Sequence, residues 1–380
     1  MSDTQIGLLY LNEQDMIKAG VRDMAGCIDA MCDTFSLMSK GDYRMGGPSG
    51  NDHGIKLSFP KTSDVPGMPL DSPDRRFFAM PAYLGGRYRL CGIKCYGSNP
   101  ANRLKGLPRS ILMLTLMDME TGAPIAYLSA NLLSAMRTGA VPGVGTRYLS
   151  KKSPKVAAIV GPGVMAKTAM ESFVVTQPTL DTVKIKGRSQ AGINSFIQYC
   201  KKRFPAIQNY IVCESEEETC RDADIIYVGA TNAPVFEENP YISGNWLKPG
   251  ALIMSTSALL MDEDFMADKS KCKLVSDNYK MYAGWGGEHE YPTQKTVSTL
   301  IGMRFYDLVT TGKLRREDIT DIGDIINGDK TGRDSEDQVI VYAVGGMPTE
   351  DVAWGYKCYQ RARELGIGVP LNLWNHPELA

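Results

Sequence analysis

Hydrophobic residues along this chain fall into short apolar runs and longer helical stripes, and their order divides the sequence into two kinds of architecture. GLLYL at 7–11 predicts a short strand, and Asn12 with Asp15 downstream predicts a cap for a helical stretch rich in methionine and alanine that extends to Lys40. From Gly41 to Arg89 glycine and proline recur, and KTSDVPGMPLDSPDRR predicts a surface excursion, with regular structure resuming at Arg76. FFAMPAYL, YRLCGIKCYG and ILMLTLMDM are β-like runs separated by GGR, NPANRLKGLP and ETGAP, a pattern that predicts an antiparallel meander. Residues 129–149 carry leucine, alanine and methionine at helical spacing, with Pro142 and glycines predicting an irregular or kinked second half.

Beyond Lys155 the rhythm changes to strict alternation. VAAIV, TVKIKG, YIVC, IIYVGAT and ALIMSTS read as strands, and GVMAKTAMESFVV, AGINSFIQYCKKRF and ESEEETCRD read as helices. Alternating strands and helices predict a parallel, doubly wound α/β sheet of the Rossmann type. A helical, charged stretch follows Asp277. The segment beginning SEDQVIVYAVGGMPTEDVAWG then predicts a helix returning to the first domain. The expected organisation is an N-terminal α+β sheet domain (1–150 plus 330–380), completed by the C-terminal helix, and a Rossmann domain at 151–329.

Composition narrows the function. A length of 380 residues with 43% hydrophobic content suffices for the two cores this division requires. Lysine and arginine number 42 against 43 acids, a balance that argues against nucleic acid or membrane surfaces as partners. No basic leader with an apolar run opens the chain, and no stretch reaches the roughly 18 apolar residues of a membrane span, so a soluble, cytoplasmic protein is expected. The cysteines form no paired CxxC ladder, and the histidines (His53, His289, His376) are far apart, so no metal site is expected.

The most specific local signal is Gly161-Pro162-Gly163-Val164-Met165-Ala166, directly after an apolar strand and at the start of a helix. Gly161 permits a tight turn, Gly163 lets backbone approach a pyrophosphate, and the helix N-terminus offers N–H groups to phosphates, while Ala166 still allows close packing. The end of the second strand is where such enzymes usually present an acid to the ribose hydroxyls. Here Gly187 occupies that place, followed by Arg188 and Ser189, which suit a 2′-phosphate. NADP(H) is therefore favoured over NAD(H), the other reading being that Arg188 is a solvated loop charge.

Arg44, Lys94 and Arg137 are basic residues set among small or apolar neighbours. Buried charges need partners, and an anionic ligand is one way to supply them; a salt bridge or an outward-facing strand position is the other.

At these residues the sequence resembles the ornithine cyclodeaminase and mu-crystallin family from about Leu8 to Gly368. The resemblance is carried by KCYGSNPANRLKGLP, by LMDMETGAPIAYLSANLLSAMRTGAVPGVGTRYL, by GPGVMA, by GATNAPVF and by SEDQVIVYAVGGMPTEDVA, in that order. It implies that Arg44, Lys94 and Arg137 hold a substrate carboxylate, that Lys94 assists proton transfer near the reacting carbon, and that Thr231, Asn232 and Ser257 line the cofactor crevice. A lysine flanked by guanidinium groups and partly desolvated has a lowered pKa, which suits acid–base work near neutrality. The resemblance also implies a homodimer whose N-terminal sheets meet.

One departure bears on the reaction. Where the cyclodeaminases carry a catalytic aspartate, this chain has Ser257, Ala258 and Leu259, and Asp262 and Asp264 fit the start of the following helix. The expected activity is therefore NAD(P)H-dependent oxidoreduction of an amino or imino acid. A cyclodeaminase-like lyase, a non-catalytic NADPH binder and an accessory subunit of an amine-oxidising system, docking through the aromatic stretch at Trp285, are the alternatives. The excursion at 60–76 and the 280–295 region also depart from the family pattern, so substrate choice does not carry over.

Overall fold

The meander segments become strands because alternate residues suit a drier and a wetter side, whereas the apolar runs beyond Lys155 suit strands covered on both faces, and the computed structural model shows where each side faces. It describes residues 4–72, 75–287 and 289–379. Two compact units emerge, one of residues 1–23, 41–137 and 347–380, the other of residues 24–40 and 138–346.

The first unit is built on an eight-stranded sheet. The meander is present as Arg76–Leu84, Leu90–Ser98 and Ser110–Asp118, each antiparallel to the next. Pro124–Ser129 continues it, Ile6–Leu11 adds in parallel, and Val369–Trp374 closes that edge. Tyr43–Met45 and Ile55–Leu57 both pair with Arg76–Leu84 at the other end. Met80, Ala82, Leu84, Leu114, Leu116, Ala126 and Leu128 are buried along one face, against which the helix Pro348–Leu365 packs. That helix starts with proline at its first position and acids in its first turn, both suited to a helix N-terminus, and stops at Gly366 in the left-handed region.

The second unit holds a parallel sheet in the order Asn209–Val212, Thr182–Lys186, Val156–Val160, Ile225–Val228, Leu252–Ser255, Val339–Ala343, Cys272–Ser276, Ile319–Asp321. The central strands Ile225–Val228 and Leu252–Ser255 are buried at every position, as expected of a sheet covered on both faces. Strand order reverses between Val156–Val160 and Ile225–Val228, the switch point at which doubly wound sheets bind ligands.

The structure differs from the sequence expectation in three places. The helical stretch to Lys40 is two helices, Glu13–Lys18 capped by Asn12 and Met24–Ser39, separated by a turn in which Gly20 takes a φ of +84°. Helix Asn131–Leu149 runs unbroken through Pro142. Its glycines serve close packing, since a Cβ on Gly139 would lie 2.4 Å from Thr168 and one on Gly143 would lie 2.7 Å from Ser172. Lastly, residues 24–40, 138–150 and 330–346 group with the second unit, the last of these because Val339–Ala343 is hydrogen-bonded between two strands of its parallel sheet. No helix among the described residues is long and apolar enough to cross a membrane.

Candidate functional site

In the second unit, the residues expected to hold a cofactor come together at the carboxyl ends of the parallel strands. Gly161 follows Val156–Val160 with a φ of +86°, and a Cβ there would meet the Ala230 backbone at 2.4 Å, so the turn requires glycine. Gly163 is the N-cap of Val164–Thr176 and has no side-chain cap, and a Cβ built on it meets nothing within 4 Å. The helix thus presents its first amide groups and positive dipole end to open space, which fits a pyrophosphate. Val164 is exposed and Met165 half-buried beside it, while Ala166 packs fully inside. Pro162 lies against Gly187, where a Cβ would approach its ring to 2.9 Å.

Arg188 and Ser189 are exposed at the end of the second strand. Ser189 caps helix Gln190–Arg203, and Arg188 donates to the Thr231 carbonyl at 2.6 Å. Asn232 accepts from the Ala258 amide at 3.1 Å and donates to Thr299, tying the ends of two strands together. Ser257 donates to the Val228 carbonyl at 3.2 Å.

In the first unit the alternation of a single strand decides which basic residues can meet. Lys94 pairs with Met80 across the sheet and Ala82 pairs with Met45, so Lys94 shares the face of Met80, Ala82, Met45 and Tyr43. Arg44 pairs with Tyr83 and points to the opposite face. Arg44 is exposed, and its guanidinium folds back on the Gly41 and Tyr43 carbonyls at 3.1 and 2.6 Å. The three-cation cluster expected from the sequence is therefore corrected to Lys94 and Arg137, which are both buried.

What the sequence reading missed is the pair of acids that holds them. Asp351 accepts from Lys94 Nζ at 2.6 Å and from Arg137 Nε at 2.9 Å, and Glu350 accepts from Arg137 Nη1 at 2.8 Å. Both acids are fully buried in the first turn of Pro348–Leu365. The available signal was the pair Glu350-Asp351 inside an otherwise apolar helix start, since buried charge requires a partner. Burial and the neighbouring Arg137 charge lower the Lys94 pKa to about 8, against the opposing pull of Asp351 and Glu350. Arg137 Nη2 donates to the Ser134 hydroxyl at 3.4 Å, and a guanidinium, with five N–H donors in a planar fork, is able to bind carboxylates two bonds at a time.

His53 and Arg76 also belong to this region and were not singled out from sequence. The turn at 46–52 is pinned by the Met45 amide to the Gly50 carbonyl and by the Asp52 amide to the Gly46 carbonyl, and it delivers His53 edge-on to Phe78 at 5.6 Å. Burial and the charges of Lys94, Arg137 and Arg76 press the His53 pKa down to about 3, so its ring is neutral at physiological pH.

The two aspartates that follow Ser257, Ala258 and Leu259 most closely are Asp262 and Asp264. Asp262 accepts from Tyr241, Ser243 and the Gly244 amide, and Asp264 is exposed beside Lys313. A further buried acid, Asp277, follows Cys272–Ser276 and accepts from the Gly345 amide at 2.6 Å and the Tyr282 hydroxyl at 3.0 Å. It fixes the glycine pair that ends the Val339–Ala343 strand, and burial raises its pKa to about 6. Trp285 is half-buried with its ring edge-on to Tyr282, not an exposed docking aromatic.

The model of the ornithine cyclodeaminase/mu-crystallin family matches residues 21–366. The chain belongs to this family. Over 97% of the chain and 99% of the relative it is 26% identical to the N-((2S)-2-amino-2-carboxyethyl)-L-glutamate dehydrogenase of Staphylococcus aureus. A Delta(1)-pyrroline-2-carboxylate reductase of Bacillus cereus is 27% identical over 79% of the chain and 86% of the relative. Among solved structures, an archaeal alanine dehydrogenase dimer with bound NAD superposes with a TM-score of 0.76 at 23% identity, covering 97% of this chain and all (100%) of that one. The reductase of Thermococcus litoralis with NADH and L-proline gives 0.74 at 23% identity, over 95% of this chain and 99% of that one. At these identities the structures establish the shared fold.

Proposed function

We propose that the protein is a nicotinamide-dependent oxidoreductase that interconverts an amino acid and the corresponding imino or oxo acid. One observation carries this reading: a buried lysine on a sheet face, its pKa lowered to about 8, shares the buried carboxylate of Asp351 with the buried guanidinium of Arg137, in a chain that also folds a glycine turn at a helix N-terminus. The relatives' names, dehydrogenase and reductase, point the same way.

The turn Gly161-Pro162-Gly163 and the start of helix Val164–Thr176 would hold a nicotinamide dinucleotide, which when bound would provide hydride chemistry. The work of the chain's own residues is to bind and to move protons. Arg137 and Lys94 draw in the α-carboxylate, and the bonds to Glu350 and Asp351 hold both cations in fixed positions beforehand. Lys94, poised near neutrality, gives its proton in the reductive direction and takes one in the oxidative direction. The second reading of the family, deamination with cyclisation, lacks its carboxylate base at Ser257, Ala258 and Leu259.

For the cofactor we propose NADP(H). In support, Gly187 leaves no acid to repel a 2′-phosphate, and the exposed Arg188 and Ser189 supply a cation and a hydroxyl. For assembly we propose a homodimer formed on the outer face of the first unit's sheet, where Ile55, Leu57, Phe77, Ile111 and Met113 are exposed together by register. Light scattering of the wild type and of Ile111→Lys tests it: a dimer that the charge disrupts supports the proposal, and a wild-type monomer overturns it.

The functional test is fluorescence titration with NADPH and NADH, followed by a panel of 2-oxo acids with ammonia or methylamine while nicotinamide absorbance is recorded. Cofactor oxidation with a panel member supports the oxidoreductase. Tight binding without turnover supports a non-catalytic binder instead, and absence of binding removes the nucleotide assignment. A tighter complex with NADH than with NADPH overturns the NADP(H) proposal.

A further inference from the structure

In the second unit, the region at 280–295 leads into a short strap, residues 293–300, laid over the carboxyl ends of the two central strands. Helix Thr293–Thr296 opens it, Lys295 pairs with Glu237 beyond Ile225–Val228, and Leu300 bridges to Ala258 beyond Leu252–Ser255. Buried groups fix its base. Asp307 accepts from the Thr293 amide and hydroxyl at 2.9 and 2.7 Å and from the Gln294 amide at 3.1 Å. Gln294 is fully buried, donates to the Leu259 carbonyl at 2.8 Å and accepts from Arg304 Nε at 2.8 Å. These bonds hold the strap to one path, because breaking any of them would leave a buried polar group unpaired. What the strap delivers is Thr299. Its hydroxyl oxygen accepts from Asn232 Nδ2 at 2.8 Å, while Asn232 Oδ1 accepts from the Ala258 amide at 3.1 Å. Two hydrogens are left over, the second on Asn232 Nδ2 and the one on the Thr299 hydroxyl, and neither has an acceptor among the described residues. Asn232 is exposed and Thr299 half-buried, so a ligand can reach both donors.

Their place in the sheet says which part of a ligand they meet. The glycine turn follows Val156–Val160 and Arg188 follows Thr182–Lys186, both on one side of the switch point; Asn232 and Ala258 follow strands on the other side. A dinucleotide crosses such a point with one nucleotide over each half of the sheet. Arg188 and Thr299 bond successive residues of one strand end, Thr231 and Asn232, so they flank it. With the adenosine half on the Arg188 side, the Asn232 side is left for the nucleotide whose base carries a carboxamide. Resting on the nucleotide-binding reading above, we propose that the Thr299 hydroxyl and the Asn232 side-chain amide together donate to the carbonyl of the nicotinamide carboxamide, and that Gln294 and Asp307 are positioning residues that present Thr299. A carbonyl oxygen has two lone pairs and accepts both bonds. Held in this way the ring cannot turn about its glycosidic bond, so one of its faces is kept toward the substrate.

The experiment is calorimetric binding of NADP⁺ against 2′-phospho-ADP-ribose, and of NAD⁺ against ADP-ribose, in the wild type, Thr299→Val and Thr299→Ser. The members of each pair differ only by the nicotinamide. Thr299→Val is expected to weaken the preferred dinucleotide about fivefold or more and to leave its truncated counterpart within about twofold of wild type, with Thr299→Ser close to wild type throughout. The 3-acetylpyridine analogue of that dinucleotide keeps the carbonyl and lacks the amide nitrogen; it is expected to bind the wild type within about threefold of the parent and to lose as much in Thr299→Val. Equal weakening of the dinucleotide and its truncated counterpart makes Thr299 a structural residue only and overturns the proposal, as does a Thr299→Val protein that binds the dinucleotide like wild type or a wild type that rejects the acetylpyridine analogue. A wild type that binds no member of either pair overturns the nucleotide-binding reading and the proposal with it. Binding in the expected order without turnover removes the oxidoreductase and leaves the proposal standing.

Discussion

The glycine turn of the second unit and the ion cluster of the first concentrate positive charge by opposite means. Around Gly161 and Gly163 the chain removes side chains and offers bare backbone amides at a helix N-terminus in open space. Around Lys94 and Arg137 it buries cations and anchors them with two equally buried acids. Backbone dipoles hold an anion at no titration cost and are suited to a permanent ligand. Buried ionised side chains have movable pKa values, so the first unit is where a proton can be handled.

The difference can be broken from either side. Asp351→Ala leaves Lys94 and Arg137 without their shared anion, and denaturant unfolding is expected to show a loss of about 3–5 kcal/mol. Gly161→Ala forces a Cβ into the Ala230 backbone at a positive φ; a loss of about 1–3 kcal/mol and of cofactor fluorescence binding is expected, with the Lys94 cluster intact. Asp351→Asn sharpens the comparison. It removes a charge that raises the Lys94 pKa, so the limb of the reductive kcat/KM profile, placed near pH 8 in the wild type with activity falling as pH rises, is expected to move to lower pH. The smallest effect is expected for Arg44→Ala, an exposed residue on the other sheet face: stability within about 0.5 kcal/mol of wild type and an unchanged pH profile. A large rise in KM for Arg44→Ala would return that residue to the substrate site.

These two sites also differ in how far the sequence revealed them. The turn is contiguous, and its strand-turn-helix context could be read from residues 155–176 alone; the parallel alternation around it was legible for the same reason. The cluster joins Lys94 and Arg137 to acids more than two hundred residues later in the chain. The lysine and arginine stood out by their apolar neighbours, but the acids at the helix start could be taken for ordinary first-turn charges. Arg44 was misplaced because sheet face depends on register, and a single step along Tyr43–Met45 reverses it. His53 was invisible for a further reason: a loop of 46–54 carries no periodicity, and only the close approach at Gly54 brings the ring over Phe78.

The central claim is that Lys94 moves the proton in a nicotinamide-dependent reaction. The most direct measurement is therefore Lys94→Gln against wild type, with cofactor affinity and steady-state reduction of the best 2-oxo acid and amine pair measured on the same preparations. The account predicts cofactor binding unchanged within about twofold and kcat reduced by about a hundredfold or more, with the limb near pH 8 gone. Turnover that persists at the wild-type rate with that limb still present would contradict it.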